Sequence, residues 1–322
     1  MSGMVVVTGA SGFVGRALCA HLAATGRPHR GVVRTLPAGA PQGTPLLAVG
    51  DLAAAPEERL AAALQGAVAV VHLAGRAHVL DESQDEAGAA CRAANVVATE
   101  RLATAAVRAG VERFVFASTV KVYGEATLPG QRWRAGDPPA PRDAYARSKA
   151  DAERALIAAC EGSATTPVVL RMPLVYGPGA RANFLALLDA VARRALLPLA
   201  SIENRRNLCY VGNLVHAISA LLDGAEAAAG VWLVADGEAV STPELVRRLA
   251  AALGVAPRLL PVPVALLQAA GRFSGRSGQI ARLCGSLEVD ASPLARRVGP
   301  LPYTLDQGLA ATVNWWRARH AI

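Results

Sequence analysis

The sequence predicts an α/β protein: a doubly wound parallel sheet with a smaller, mostly C-terminal second domain. Three observations carry this. Short β-branched apolar runs alternate with longer segments of helical periodicity through the first half of the chain. The runs are continuously apolar rather than alternating, as in strands covered on both faces. Beyond about residue 175 the alternation loosens and Pro-bounded helical segments take over.

In order, residues 4–10 (MVVVTGA) read as a buried strand ending in glycine, and 12–26 as a helix stopped by Gly26 and Pro28. A second strand, HRGVVRT, precedes a Pro/Gly-rich loop around 36–48 and the tripeptide GDL at 50–52. ERLAAALQG is helical, and AVAVVHLAG (67–75) is another buried strand. AANVVATERLATAAVRAG is a long helix, and RFVFAST (113–119) is a strand. The next helix opens at Asp143, a candidate N-cap, and PVVLRMPLVYGPG is a strand running into a loop. STPELVRRLAAALG has the Ser, Pro and Glu of a helix start. The expected domains are 1–175, with 208–236 returning to that domain and GVWLVAD (230–236) to its main sheet, and 176–207 plus 237–322.

The chain of 322 residues is 52% hydrophobic and 18% charged, which fills a core and excludes disorder. Its net charge of +8 raises the question of a nucleic-acid partner. The arginines are scattered, however, and aromatics make up only 4%, so a site for an anionic small molecule is the expectation. Five widely spaced cysteines without a C-x-x-C predict neither a metal site nor a redox dithiol, and fit reduced thiols. No basic n-region and no bilayer-length apolar run is present, so the sequence reads as cytoplasmic.

TGASGFVG sets Gly9, Gly12 and Gly15 between the first strand and the first helix. Glycines there let backbone approach a pyrophosphate, whose charge sits at the helix N-terminus, the arrangement of a dinucleotide-binding Rossmann sheet. An NAD site usually has a carboxylate about 20 residues on for the ribose 2′-hydroxyl. No carboxylate occurs between Gly15 and Asp51. Arg34 ends the second strand and Arg16 follows the third glycine; a guanidinium suits a 2′-phosphate. NADP(H) is therefore the favoured cofactor and NAD(H) the alternative, with Asp51 placed near the adenine.

The chain has 33 Lys plus Arg, of which only Lys121 and Lys149 are lysines. Lys149 lies four residues after Tyr145, on one helical face. An ammonium beside a phenol favours phenolate and makes the phenol a better acid, and a compact ammonium can also bond a ribose.

TGASGFVG, HLAG, STVKVYG, YARSK and LRMPLVYGPG stand in the order of the extended short-chain dehydrogenase/reductases, the nucleotide-sugar epimerases, dehydratases and reductases, and the chain resembles that family over nearly its whole length. The resemblance implies that Thr119 bonds the sugar oxygen, that Tyr145 is the general acid/base with Lys149 as its partner, and that Asn95 is structural. It also implies that Phe13, Val14, Leu52, Leu73 and Ala74 line the cofactor with the residues above. Arg206 would contact the nucleotide diphosphate, and Asn183 and Phe184 the substrate. It implies a homodimer paired through helices near 91–109 and 145–161.

The family's 4,6-dehydratases carry T-D-E before V-Y-G; here Val120 and Lys121 replace both carboxylates, which argues against that elimination. Lys121 is expected to bond the sugar. A 4-ketoreductase and a 4-epimerase remain, since the same triad serves both. The missing ribose carboxylate favours a dissociable NADPH and reduction. The overall pattern looks most like bacterial reductases of UDP-2-acetamido-2,6-dideoxy-4-hexulose, which serve O-antigen (lipopolysaccharide) synthesis. A non-catalytic NADPH sensor and a nucleic-acid-binding module are the readings from other classes.

Overall fold

A computed structural model describes residues 3–37, 44–76, 84–224, 228–275 and 277–320. The strands are β1 (Met4–Thr8), β2 (His29–Val33), β3 (Leu46–Ala48), β4 (Ala67–His72), β5 (Arg113–Thr119), β6 (Thr166–Met172), β7 (Leu174–Tyr176), β8 (Arg206–Tyr210), β9 (Gly230–Leu233) and β10 (Ala239–Val240). The helices are α1 (Phe13–Ala24), α2 (Glu57–Leu64), α3 (Gln84–Cys91), α4 (Ala98–Arg108), α5 (Ala144–Cys160), α6 (Ala182–Ala192), α7 (Val211–Asp223), α8 (Thr242–Leu253), α9 (Val264–Phe273), α10 (Ser277–Cys284), α11 (Ser292–Val298) and α12 (Leu305–His320).

The main sheet has seven strands in the order β3-β2-β1-β4-β5-β6-β9, all parallel. Strand order reverses direction beside β1, the switch point at which doubly wound sheets bind ligands outside their carboxyl ends. Val5, Val6, Val7, Ala69, Val70, Val71 and Phe114 are all essentially inaccessible, as a sheet covered on both faces requires. A second sheet of three strands, β10-β8-β7, is mixed: β7 runs parallel to β8 and β10 antiparallel.

The chain divides into two compact units. The first holds Met1–Gly124, Pro138–Met172 and Val215–Leu233; the second holds Glu125–Asp137, Pro173–Leu214 and Val234–Ile322. The return to the first unit therefore starts at Val215, not at residue 208. β9, within the GVWLVAD stretch, pairs with β6 in the main sheet, whereas β8 pairs with β7, a choice of partner that its own apolar pattern does not encode. The helix expected over 93–110 begins at α3 and passes through a π-helical stretch, Arg92–Val97, before α4. α8 has the cap its sequence promised: Ser241 accepts from Glu244 N–H at 3.2 Å, and Gly254 ends the helix in the left-handed region. Among the described residues no helix is long and apolar enough to cross a membrane.

Candidate active site

β5 delivers Thr119 to its carboxyl end, where the chain enters a single 3-10 turn, Val120–Tyr123. Thr119 caps that turn by accepting from Lys121 N–H at 3.2 Å. The Asp143 carboxylate caps α5, accepting from Ala146 N–H at 2.6 Å, and this sets Tyr145 in the first helical turn. The Thr119 hydroxyl stands beside the Tyr145 phenol, near enough to favour its ionised form. One turn on, Lys149 is buried; its Nζ donates to the Ala117 carbonyl at 2.7 Å and lies 4.4 Å from the centre of the Phe116 ring. Thr119, Tyr145 and Lys149 thus converge between the end of β5 and the start of α5.

Burial pushes the Tyr145 phenol up to about 12, the Asp143 carboxylate and Cys91 add to this, and the Thr119 hydroxyl opposes it. Desolvation thus raises the phenol where the sequence predicts a lowering, so the phenol keeps its proton at neutral pH, the form a general acid needs. Lys149 is brought down to about 8 by burial, partly offset by the Glu153 carboxylate one turn further along α5. Glu153 itself is held by Arg171, whose Nε lies 3.0 Å and whose Nη2 lies 2.5 Å from its oxygens, and by the Ser118 hydroxyl. The Arg171 guanidinium lies 4.6 Å from the centre of the Tyr123 ring. The buried Glu153–Arg171 pair fastens β6, and the Ser118 hydroxyl the end of β5, to α5.

A second polar chain runs beneath the site. Thr99 Oγ1 donates to the Asn95 carbonyl at 2.5 Å, so it accepts from His72 Nε2–H at 3.1 Å. This fixes the tautomer, and Thr8 Oγ1 then donates to His72 Nδ1 at 2.6 Å. Burial, with the Lys149 charge behind it, lowers His72 to about 3 and keeps it neutral. The Asn95 side chain binds both the N–H and the carbonyl of Arg76, at 2.8 and 3.0 Å, and donates to Ser148 Oγ at 2.8 Å. Ser148 in turn donates to the Tyr145 carbonyl at 2.8 Å. The π-helical stretch turns Asn95 inward to do this, a common use of such bulges. Sequence reasoning marked Asn95 as structural but missed His72, Ser148, Glu153 and Arg171; polar residues inside otherwise apolar strands and on the Tyr145–Lys149 face were the available signal.

The phosphate-loop residues form the turn between β1 and α1. Gly9 has φ +67°, and a Cβ there would fall 2.7 Å from Ala74 N, while one on Gly15 would fall 2.2 Å from the Gly9 carbonyl oxygen. Gly12 N–H donates to that same carbonyl at 2.9 Å, and no side chain caps α1. Its first-turn N–H groups, on Phe13, Val14 and Gly15, are those that would meet an anion. Arg34 directly follows β2 with its side chain 70% exposed, 3.8 Å from the Asp51 carboxylate, while Leu52 is buried and Leu73 and Ala74 are half-buried after β4. Gly75 was also missed: a Cβ there would lie 3.3 Å from Lys149 Nζ and 2.9 Å from Asn95 Oδ1.

The residues expected to hold substrate are less uniform. Lys121 is ion-paired with Asp143. Asn183 is exposed in the first turn of α6, whereas the Phe184 side chain is 2% exposed and stacks on Tyr176 with ring centres 5.2 Å apart. The Phe184 ring packs in the core of the second unit. Arg206 is half-buried; its Nη1 donates to the carbonyls of Arg282 and Gly285 at 2.8 and 2.7 Å. Burial lowers its pKa, eased by the Glu125 carboxylate.

Residues 5–235 match the NAD dependent epimerase/dehydratase family. The chain belongs to that family. It is 40% identical over 271 residues to a UDP-glucose 4-epimerase of Vibrio cholerae, covering 84% of this chain and 82% of that protein. It is 32% identical over 342 residues to a dTDP-glucose 4,6-dehydratase of Streptomyces griseus, covering 98% and 94%. Among solved structures, MoeE5 in complex with UDP-glucose and NAD superposes with a TM-score of 0.79 at 28% identity, covering 99% of this chain and 100% of that one. Membership makes this an NAD(P)-dependent enzyme of nucleotide-sugar chemistry. The glycine turn fits such a cofactor: its backbone is closed to side chains where a pyrophosphate must approach, and it opens onto an uncapped helix end.

Proposed function

We propose that the protein is an NADPH-dependent reductase of the C4 ketone of a UDP-4-keto-6-deoxy-N-acetylhexosamine, yielding UDP-N-acetylquinovosamine or UDP-N-acetylfucosamine for polysaccharide synthesis. The observation that carries the reading is Arg34: an exposed guanidinium directly after β2, in a stretch with no carboxylate between Gly15 and Asp51. A 2′-phosphate would be its partner. The turn Gly9–Gly15 would hold the pyrophosphate, and Leu52, Leu73 and Ala74 the adenosine side. Lys149, released from the Ala117 carbonyl, would bond the nicotinamide ribose.

When bound, the cofactor supplies reducing equivalents to the sugar C4. Thr119 orients the C4 oxygen by hydrogen bonding, and Tyr145, protonated at neutral pH, donates its phenolic proton to that oxygen as the ketone becomes an alcohol. Lys149 stabilises the phenolate left behind. Lys121 would contact the sugar, and Arg206 would take the diphosphate charge; Asn183 would add a polar contact. The proposal extends to a cytoplasmic homodimer paired through α4 and α5, where Ile157 is 48% exposed.

A second reading, a UDP-hexose 4-epimerase with tightly held NAD, is favoured by the 40% identity to the Vibrio cholerae protein and by Asp51, half-exposed beside Arg34. One experiment separates them. Incubation with the 4-keto sugar and NADPH should consume NADPH in step with product. Interconversion of UDP-glucose and UDP-galactose without added cofactor, and no NADPH loss, would replace reduction by epimerisation.

A further inference from the structure

Five of the ten exposed large apolar side chains among the described residues lie in two short segments of the second unit: Leu196, Leu260, Leu266, Phe273 and Leu283. The segments are neighbours in space, since Leu197 N–H donates to the Arg258 carbonyl and Leu260 N–H to the Leu197 carbonyl, each at 2.8 Å. From there the chain runs through Pro261 and Pro263 into α9, which packs on α10 through Gly271: a Cβ on that glycine would lie 2.7 Å from Ile280 Cδ1. Apart from Gly271, neither helix has a buried residue. Leu266, Ala270 and Phe273, at i, i+4 and i+7, form an outward stripe, and Phe273, 94% exposed, stands where α9 ends and the chain turns toward α10. An exposed apolar stripe of this kind, Leu266, Ala270 and Phe273 on one helix face, is the mark of a docking surface.

Charge says what docks there. Residues 190–202 and 245–287 contain no Asp or Glu, while they carry eight arginines. Arg247 and Arg248 are paired with Glu244. Arg193, Arg194, Arg258 and Arg272 are exposed and have no carboxylate partner among the described residues. A second copy of this chain docked face to face would bring these arginines together with nothing to neutralise them. An anionic lipid surface meets both needs, headgroups for the guanidinium groups and an acyl boundary for Leu266 and Phe273.

We propose that the α9–α10 hairpin and the adjoining 193–196 segment form a peripheral binding surface for anionic membrane, into which Phe273 and Leu266 insert. This goes beyond the reductase reading and does not depend on it. The test is co-sedimentation of the full chain with vesicles of mixed phosphatidylglycerol and phosphatidylcholine, against phosphatidylcholine alone. Binding to the mixed vesicles only is expected, weakened by salt, with roughly tenfold or greater loss for the double variant Leu266→Ser, Phe273→Ser. That variant should keep wild-type turnover of soluble nucleotide sugar and an unchanged melting curve. For Arg272→Glu a several-fold loss of vesicle binding is expected. Absence of wild-type binding to the mixed vesicles overturns the proposal. So does a wild-type oligomer in sedimentation velocity that the double serine variant dissolves, which would make the patch a contact between copies, and so does salt-sensitive binding of the patch to nucleic acid in place of vesicles.

Discussion

In the first unit, Lys149 and Glu153 are held by hydrogen bonds to the end of β5, Glu153 also by the buried Arg171 guanidinium, and Thr119 stands beside the Tyr145 phenol. In the second, the residues expected to recognise substrate are an exposed asparagine, a core phenylalanine and an arginine turned to its own unit's carbonyls. The contrast teaches a division of labour. Groups that pass a proton must be held to fractions of an ångström, and the face proposed to do so, with Thr119, Tyr145 and Lys149, is the tightly held one. Recognition of a long, flexible nucleotide sugar tolerates a looser set, whose side chains can be recruited on binding.

That division can be broken most decisively at Tyr145. Tyr145→Phe should fold and bind cofactor yet lose about 10²–10⁴-fold in kcat; near-normal turnover would end the assignment of the phenol as acid. Next is the buried pair beneath it: Glu153→Gln strands Arg171 and should cost about 3–5 kcal/mol in unfolding free energy, measured by urea denaturation. A similar loss for an exposed pair such as Arg154–Asp151 would erase the contrast between over-determined and loose regions.

The third test sharpens the electrostatics. Lys149 sits at about 8 in the folded chain, below its usual 10.5. Between these values the unfolded chain holds a proton that the native state lacks, so stability relative to Lys149→Met should rise with pH across this window, by about 3 kcal/mol in all. Below pH 8 the full penalty for the buried ammonium is present; a flat difference between the two proteins would mean that Lys149 is not desolvated. In the second unit, Arg206→Leu should raise KM for nucleotide sugar about tenfold with kcat nearly kept; a fall in kcat alone would put Arg206 with the chemistry. The smallest effect is expected at Arg34, where Arg34→Ala should shift preference from NADPH toward NADH by a several-fold change in the ratio of kcat/KM. No shift would remove the main support for reduction.

What the residues alone determined follows from short-range physics. Continuous β-branched runs, the Ser-Pro-Glu start of α8, the Asp143 cap and the Gly9–Gly15 turn are set within a few residues of themselves, and so are the shared face of Tyr145 and Lys149. Only the tertiary structure decided the rest. β8 joined β7 because strand partners are chosen by packing, not by pattern. Phe184 became core because Tyr176 was there to stack on it. The sign of the Tyr145 shift depended on how much water the whole fold removes from around it, and desolvation, unlike helical spacing, is a sum over every neighbour that the chain brings near.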